Sequence, residues 1–221
     1  VPVSFFVVTR PAVFTSIFAS GLSSRLGAEV SVESGTWQRG ARFSFQGITV
    51  RAPGMAGVPG EVARIESLDV DVNLASFFTG DAVLESVDVG PAMLRIAEHV
   101  GDSSDLNVNR LFADRDGGSA TDAPDPGGLP SLPERITLES LTLERGRYDG
   151  QNWFYQGSVE LIGEAVPDRT RLGAYAFSLV GRPSEAGEFM ISGMFDPNSK
   201  FLDAELSEGV LDQRVITLLP L

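Results

Sequence analysis

The sequence predicts a mainly β protein, an extended antiparallel sheet of repeated strand modules preceded by one amphipathic helix. Three observations carry this. Apolar residues keep helical spacing up to Gly27 and then switch to alternation of period two. A short pattern with Glu-Ser at its centre recurs about every 20 residues. Gly at 24 and Pro at 13 in 221 residues are high for a helical chain, while 43% apolar content is ample for a core.

The helix is expected over 11–26. Val13, Phe14, Ile17, Phe18, Leu22 and Leu26 fall on one helical face, and Ser16, Ser20, Ser23 and Ser24 fill the polar face. Pro11 suits the first turn and Gly27 the position after the last. Beyond it, Val30 and Val32, then Phe43 and Phe45, then Ile48 and Val50 alternate as strand residues do. The change from odd to even positions across Gln46-Gly47 requires a bulge, because an unbroken strand would turn Ile48 and Val50 to the other face.

The repeat consists of Ile65-Glu66-Ser67-Leu68-Asp69-Val70, Leu84-Glu85-Ser86-Val87-Asp88-Val89 and Leu138-Glu139-Ser140-Leu141-Thr142-Leu143, with Phe45-Gln46-Gly47-Ile48-Thr49-Val50 a looser copy. Removing a loop-like stretch over 99–133 restores the spacing of the third copy. A single module of this kind cannot bury its apolar side, so neighbours should pair into one sheet with a shared apolar face. Leu68, Val70, Val72 and Leu74 would lie on that face, and Asp69, Asp71 and Asn73 on the solvated one.

The stretch 113–133 is acidic and rich in Gly and Pro, which marks a loop, with Leu106, Val108, Leu111 and Phe112 forming a short helical clip before it. Strands are expected again over 136–148, 153–163, 172–181, 187–195 and 200–206 within a second β module, 134–221, that continues past the last residue. The first module spans 11–112. Residues 1–10 begin with an apolar run, and as a helix eight of them reach only about 12 Å of the roughly 30 Å hydrocarbon core. They suit either the stub of a truncated membrane helix, which is the expectation adopted, or a buried first strand.

Charge and composition exclude several classes of function. With 17 Lys and Arg against 30 Asp and Glu, the net charge of −13 repels a phosphate backbone, so nucleic acid is not an expected partner. Cysteine is absent, which removes disulfides, thiolate metal sites and a Cys nucleophile. The only histidine, His99, stands beside Glu98 with no second His or Cys in the chain and reads as a surface strand-end residue. Asp69, Asp71 and Asn73 lack the Gly and closing Glu of a calcium loop, and Asp114, Asp116, Asp122 and Asp125 read as a solvated linker. Trp37, Trp153, Phe154 and Tyr155 suit packing better than a carbohydrate platform. No catalytic residue, metal site or cofactor is expected.

Three stretches resemble the AsmA-like family of bacterial bridge-type lipid-transport proteins, which includes AsmA, TamB and YhdP. Ser24-Arg25-Leu26-Gly27-Ala28-Glu29-Val30-Ser31-Val32 looks like the segment that follows the family's membrane helix. The stretch from Ala63 to Gly80 looks like its first long strand and the turn leaving it, and Asp105-Leu106-Asn107-Val108-Asn109-Arg110-Leu111 like the segment closing the first module. The likeness covers 22–112 well, extends more loosely over 134–221 and is absent from the acidic loop. It implies a curved, taco-like sheet whose concave face holds phospholipid or another acyl lipid, in a domain facing the periplasm and anchored in the inner membrane of a diderm bacterium. It also implies a part in intermembrane phospholipid transport and outer-membrane biogenesis, with envelope proteins as possible partners. The groove would be lined by Phe43, Phe45, Ile48, Val50, Leu68, Val70, Val72, Leu74, Val87, Val89, Leu141 and Leu143. A non-transporting scaffold whose own helix closes the same face is the alternative.

Overall fold

The computed structural model describes residues 11–38, 41–73, 83–111, 133–150, 152–183, 187–196, 199 and 201–209. The expected membrane-helix stub over 1–10, Leu74, Phe112, most of the acidic loop and the apolar run from Leu211 to Leu221 lie outside these residues. Among the described residues no helix is long and apolar enough to cross a membrane.

Helix α1 spans Pro11–Leu26, as the apolar spacing predicts. It stops because Gly27 takes φ 62°, a left-handed conformation that costs glycine little, and the Ala28 N–H then closes onto the Ser23 carbonyl at 3.3 Å. Ser23 is also tied inward, its Oγ accepting the Val30 N–H at 3.1 Å. Phe18, Leu22 and Leu26, at successive i, i+4 positions, pack against the sheet. Ile17 departs from the expectation and is 55% exposed. One row of residues is enough to seat the helix, and Ile17 lies a full residue's rotation, about 100°, away from it.

The strands are β1 (Glu29–Gln38), β2 (Arg42–Arg51), β3 (Glu61–Val72), β4 (Leu84–Val89), β5 (Ala92–His99), β6 (Asp102–Leu106), β7 (Arg135–Asp149), β8 (Asn152–Pro167), β9 (Tyr175–Pro183), β10 (Phe189–Asp196) and β11 (Phe201–Glu208). A short helix, α2 (Gly57–Gly60), precedes β3, and a 3₁₀ turn, Asn107–Arg110, follows β6. All eleven belong to one sheet in the order β1-β2-β3-β4-β7-β8-β9-β10-β11, with β5 alongside β3, β6 and β7. The expectation of an antiparallel sheet holds except at one seam. Both β4 and β5 run parallel to β7. Tight hairpins reverse the chain, whereas the long connection between β6 and β7 brings it back in the same direction.

A kink crosses most of the sheet, at the Glu-Ser steps of β3 and β7, at Gln46-Gly47 in β2 and, between β4 and β5, at Gly90-Pro91 instead of Glu85-Ser86. The pairs Phe45↔Leu68 and Ile48↔Ile65 keep one register, so β2 and β3 change parity together. Val89 and Ala92, separated by Gly90-Pro91, continue that line through Leu68 and Ile65 to Leu138 and Leu141 of β7. On β8 the register shifts instead, between Gly163 and Leu161. Gly47 supplies the bend in β2 with φ 62°, and a Cβ there would fall on the Glu33 side chain. The apolar face thus survives the change of parity, as the alternation requires.

Burial is concentrated in two clusters. One joins Ala28, Val30, Phe45, Ile48 and Val50 beneath Phe18, Leu22 and Leu26. The other joins Ile96, Leu143, Val159, Leu161 and Phe189, with Leu106 and Val108 packed against it. Asn107 fastens that second lid. It is fully buried, its Oδ1 accepts the Ala97 N–H at 2.9 Å, and its Nδ2 donates to the carbonyls of Arg95 (2.9 Å) and Pro59 (3.1 Å).

Aromatic rings lie over cross-strand glycines at three places on this face. Gly35 pairs with Phe45, Gly181 with Phe189 and Gly193 with Phe177, and a Cβ at each glycine would meet the ring. The missing side chain lets the ring lie down on the sheet. Phe45 is in turn stacked by Phe18, with centroids 3.7 Å apart.

Candidate functional site

Residues paired across a ladder share a face, so the registers define apolar rows running across the sheet. Two rows lie on one side of the kink. The first passes through Val32, Ile48, Ile65, Ala92, Leu141, Leu161 and Gly181 to Phe189, and the second through Val30, Val50, Ala63, Leu94, Leu143 and Val159 to Pro183. Two more lie beyond it. One runs Phe45, Leu68, Val89, Leu138, Gly163, Leu179, Ile191, Leu206, and the other Phe43, Val70, Val87, Ile136, Ala165, Phe177, Gly193, Ala204.

The two sides differ in cover. On the first, Val30, Ile48, Val50, Leu143, Val159, Leu161 and Phe189 are buried, while Val32, Ala63, Ile65, Ala92, Leu94 and Leu141 are half-buried between them. On the second, Phe43, Leu68, Val70, Val87, Val89, Ile136, Leu138, Phe177, Leu179 and Ile191 are all half-buried. Phe45 is the exception there, 2% exposed under Phe18.

The expected groove residues therefore divide. Phe43, Leu68, Val70, Val87 and Val89 line the half-covered side, and Phe45 belongs to the same row but is closed over by α1. Val72 is buried at the end of β3, where its N–H meets the Ala41 carbonyl. Ile48, Val50 and Leu143 are core residues, and Leu141 is half-buried against the second cluster. Leu74 lies outside the described residues.

The opposite face carries a polar row along the same ladders, flanked at β8 to β10 by the apolar rows Ile162–Val180–Met190 and Val166–Ala176–Met194. Ser44, Asp69, Asp88, Thr137, Glu164, Ser178, Ser192 and Glu205 form one continuous row. Beside it Arg42 donates to both carboxylate oxygens of Asp71 at 3.0 and 2.9 Å and lies 3.6 Å from Asp88. Asp69, Asp71 and Asp88 thus sit where the alternation puts them, away from Val70 and Val87. These ion pairs are half-exposed and add little stability.

The end of the covered side is closed by charge. Glu98, buried, receives Arg145 at 3.3 Å and Arg147 at 3.0 Å. Nearby, Arg110 and the Tyr148 hydroxyl both donate to Asp105, and His99 meets the Tyr148 ring edge-on at 5.0 Å. The Arg110 contact holds the Asp105 carboxyl below its ordinary range, while burial, reinforced by Asp105, pushes the Tyr148 phenol up. His99 thus packs at a strand end, within this network. Among the described residues no three His, Asp or Glu side chains are grouped as a metal site. Asp114, Asp116, Asp122 and Asp125 lie outside those residues.

The aromatic residues do not form one platform. Trp37 stacks near Phe43, and Trp153 lies under the Arg95 guanidinium at 5.5 Å, whereas Phe154 and Tyr155 are exposed.

Beyond β4 the expected groove holds only Leu141 and Leu143, neither of which is on the half-covered side. Ile136, Leu138, Phe177, Leu179 and Ile191 extend the rows, and their alternation within the expected strands was the available signal. Asn107 carries no sequence signal of its own beyond its place in the stretch Asp105–Leu111. No protein-family model, curated protein or solved structure matches the chain.

Proposed function

We propose that this chain is an envelope domain that binds acyl lipid on the half-covered side of its sheet and takes part in intermembrane phospholipid transport and outer-membrane biogenesis. The observation that carries this reading is the pair of apolar rows from Phe43 and Leu68 across to Phe177, Leu179 and Ile191, which no described helix covers beyond β3. The ring of Phe177 laid over Gly193 lowers the floor, and acyl chains would run along it between the rows. On the reverse face Glu164, Ser178 and Glu205 are exposed to water. The role is binding and passage, with no bond made or broken. A periplasmic setting and anchorage in an inner membrane belong to the same proposal and rest on the family resemblance.

The closed-scaffold reading draws on one observation, the stacking of Phe18 on Phe45, which shows α1 covering the face at β1 and β2. Site-specific photocrosslinking separates the two. A benzophenone side chain at Leu138 should capture phospholipid from cells, and the same group at Glu164, on the polar row, should not. Capture at neither position, or equally at both, would sink the lipid reading.

A further inference from the structure

Arg51, Arg64 and Arg95 line one open cleft of about 530 Å³ together with Val58, Glu61 and Met93. Arg64 and Met93 pair across β3 and β5 on the face opposite the apolar rows. Three of the chain's 17 Lys and Arg residues gather there, although the chain as a whole carries −13. Arg95 is fully engaged. Its Nε and Nη2 donate to Glu144 at 3.0 and 2.8 Å, and its Nη1 to the carbonyls of Val58 and Glu61. Arg51 and Arg64 are not. Among the described residues each makes one hydrogen bond, through Nη2, and both bonds end on the same atom, Glu61 Oε2, at 3.4 and 2.9 Å. A guanidinium carries five N–H donors, so most of those on Arg51 and Arg64 are left for another acceptor. The shared carboxylate is buried, whereas the Arg51 and Arg64 side chains are 41% and 58% exposed. The next acidic groups, Glu33 and Glu66, act on Arg64 only through space.

We propose that this cleft binds a small carboxylate, whose oxygens take the spare donors of Arg51 and Arg64 and whose short aliphatic stem lies against Val58 and Met93. Planar guanidinium and carboxylate groups match in paired hydrogen bonds. Val58 is 45% exposed and Met93 half-buried, which puts apolar surface beside the charge. Charge selects a compact monoanion. Two guanidiniums share one carboxylate, and a second carboxylate completes the balance. A phosphate dianion would leave negative charge in excess close to Glu33 and Glu66, and the −13 of the chain opposes an anionic membrane surface. The inference goes beyond lipid binding and does not depend on it.

The test titrates sodium butyrate into the whole chain at constant ionic strength and follows the arginine side-chain N–H signals by NMR. The expected result is saturable shifts at Arg51 and Arg64, with weaker binding of acetate, which lacks the stem, and none of butanol, which lacks the charge. Arg51→Gln and Arg64→Gln, both outside the core, should each weaken butyrate binding roughly tenfold. Glu61→Gln should tighten it severalfold, because the two guanidiniums then lose the carboxylate they share, a gain that a purely structural cluster would not show. Phosphate binding more tightly than butyrate, shifts that chloride reproduces, or unchanged affinity in both arginine variants would each overturn the proposal.

Discussion

Leu143, Val159 and Leu161 are sealed by Leu106 and Val108, whereas a few residues further along the same strands, past the kink, Leu138 is half-buried at the margin of that cluster and Ile136, half-buried too, lies outside it. Both sides are equally apolar and share their ladders. The lid makes the difference, and it comes from the segment between β5 and β7 together with α1. A sheet face acts as core where the chain returns over it and as a binding surface where it does not. Stability should accordingly reside on the covered side and ligand binding on the other, and substitutions can be chosen to break that division.

The largest effect should come from emptying the covered side. Phe189→Ala removes a fully buried ring and uncovers Gly181, and a loss of about 3–5 kcal/mol is expected by urea denaturation. If Leu138→Ala costs as much, the two sides are not distinct. Next comes the lid's fastening: Asn107→Ala leaves one N–H and two carbonyls of the interior without their partner and should cost roughly 3 kcal/mol. Hydrogen exchange should then speed up at Ala97.

Val70→Asp sharpens the comparison from the other side. On a half-exposed surface the new carboxylate can hydrate, so the domain should stay folded and lose roughly 1–2 kcal/mol, while lipid capture at Leu138 falls severalfold. An insoluble Val70→Asp protein, alongside a benign Asp69→Ala, would show that this side is closed as well.

A smaller effect is set by pH. Tyr175 is buried, its hydroxyl donates to the Pro133 carbonyl at 2.8 Å, and burial raises its pKa from 10.0 to about 12. The unfolded chain ionises first, so this contribution is whole below pH 10 and is lost as the pH rises toward 12. Tyr175→Phe should flatten stability over that window, measured by chemical denaturation at fixed pH. Deleting 113–130 should matter least, shifting the melting temperature by only a few degrees, because loop-closure entropy changes slowly with length.

Much of this was legible in the residues. The helix over 11–26, the strands from 135 onward and the parity change at Gln46-Gly47 follow from periodicity, since each is a local rule with a local cause. The polar placing of Asp69, Asp71 and Asp88 follows from the same alternation. The parallel seam does not, because alternation reads alike in either direction and a long connection carries no sign of where it lands. Nor does the burial of Phe45, which depends on Phe18 meeting it from a different element. Covered and half-covered residues look identical as a list of Val, Leu and Ile. The paths of α1 and of Leu106, Asn107 and Val108 separate them.

The parallel seam also governs how the chain assembles. Every hairpin in the sheet can zip from its own turn, but Ala92–His99 must find Leu141–Tyr148, roughly fifty residues later, before β7 has a neighbour on that side. Folding should therefore proceed as two locally formed blocks, β1 to β5 and β7 to β11, whose docking along this seam limits the rate. On a ribosome the first block would wait with the edges of β4 and β5 open until β7 emerges, an interval in which a chaperone that covers strand edges would have most to protect.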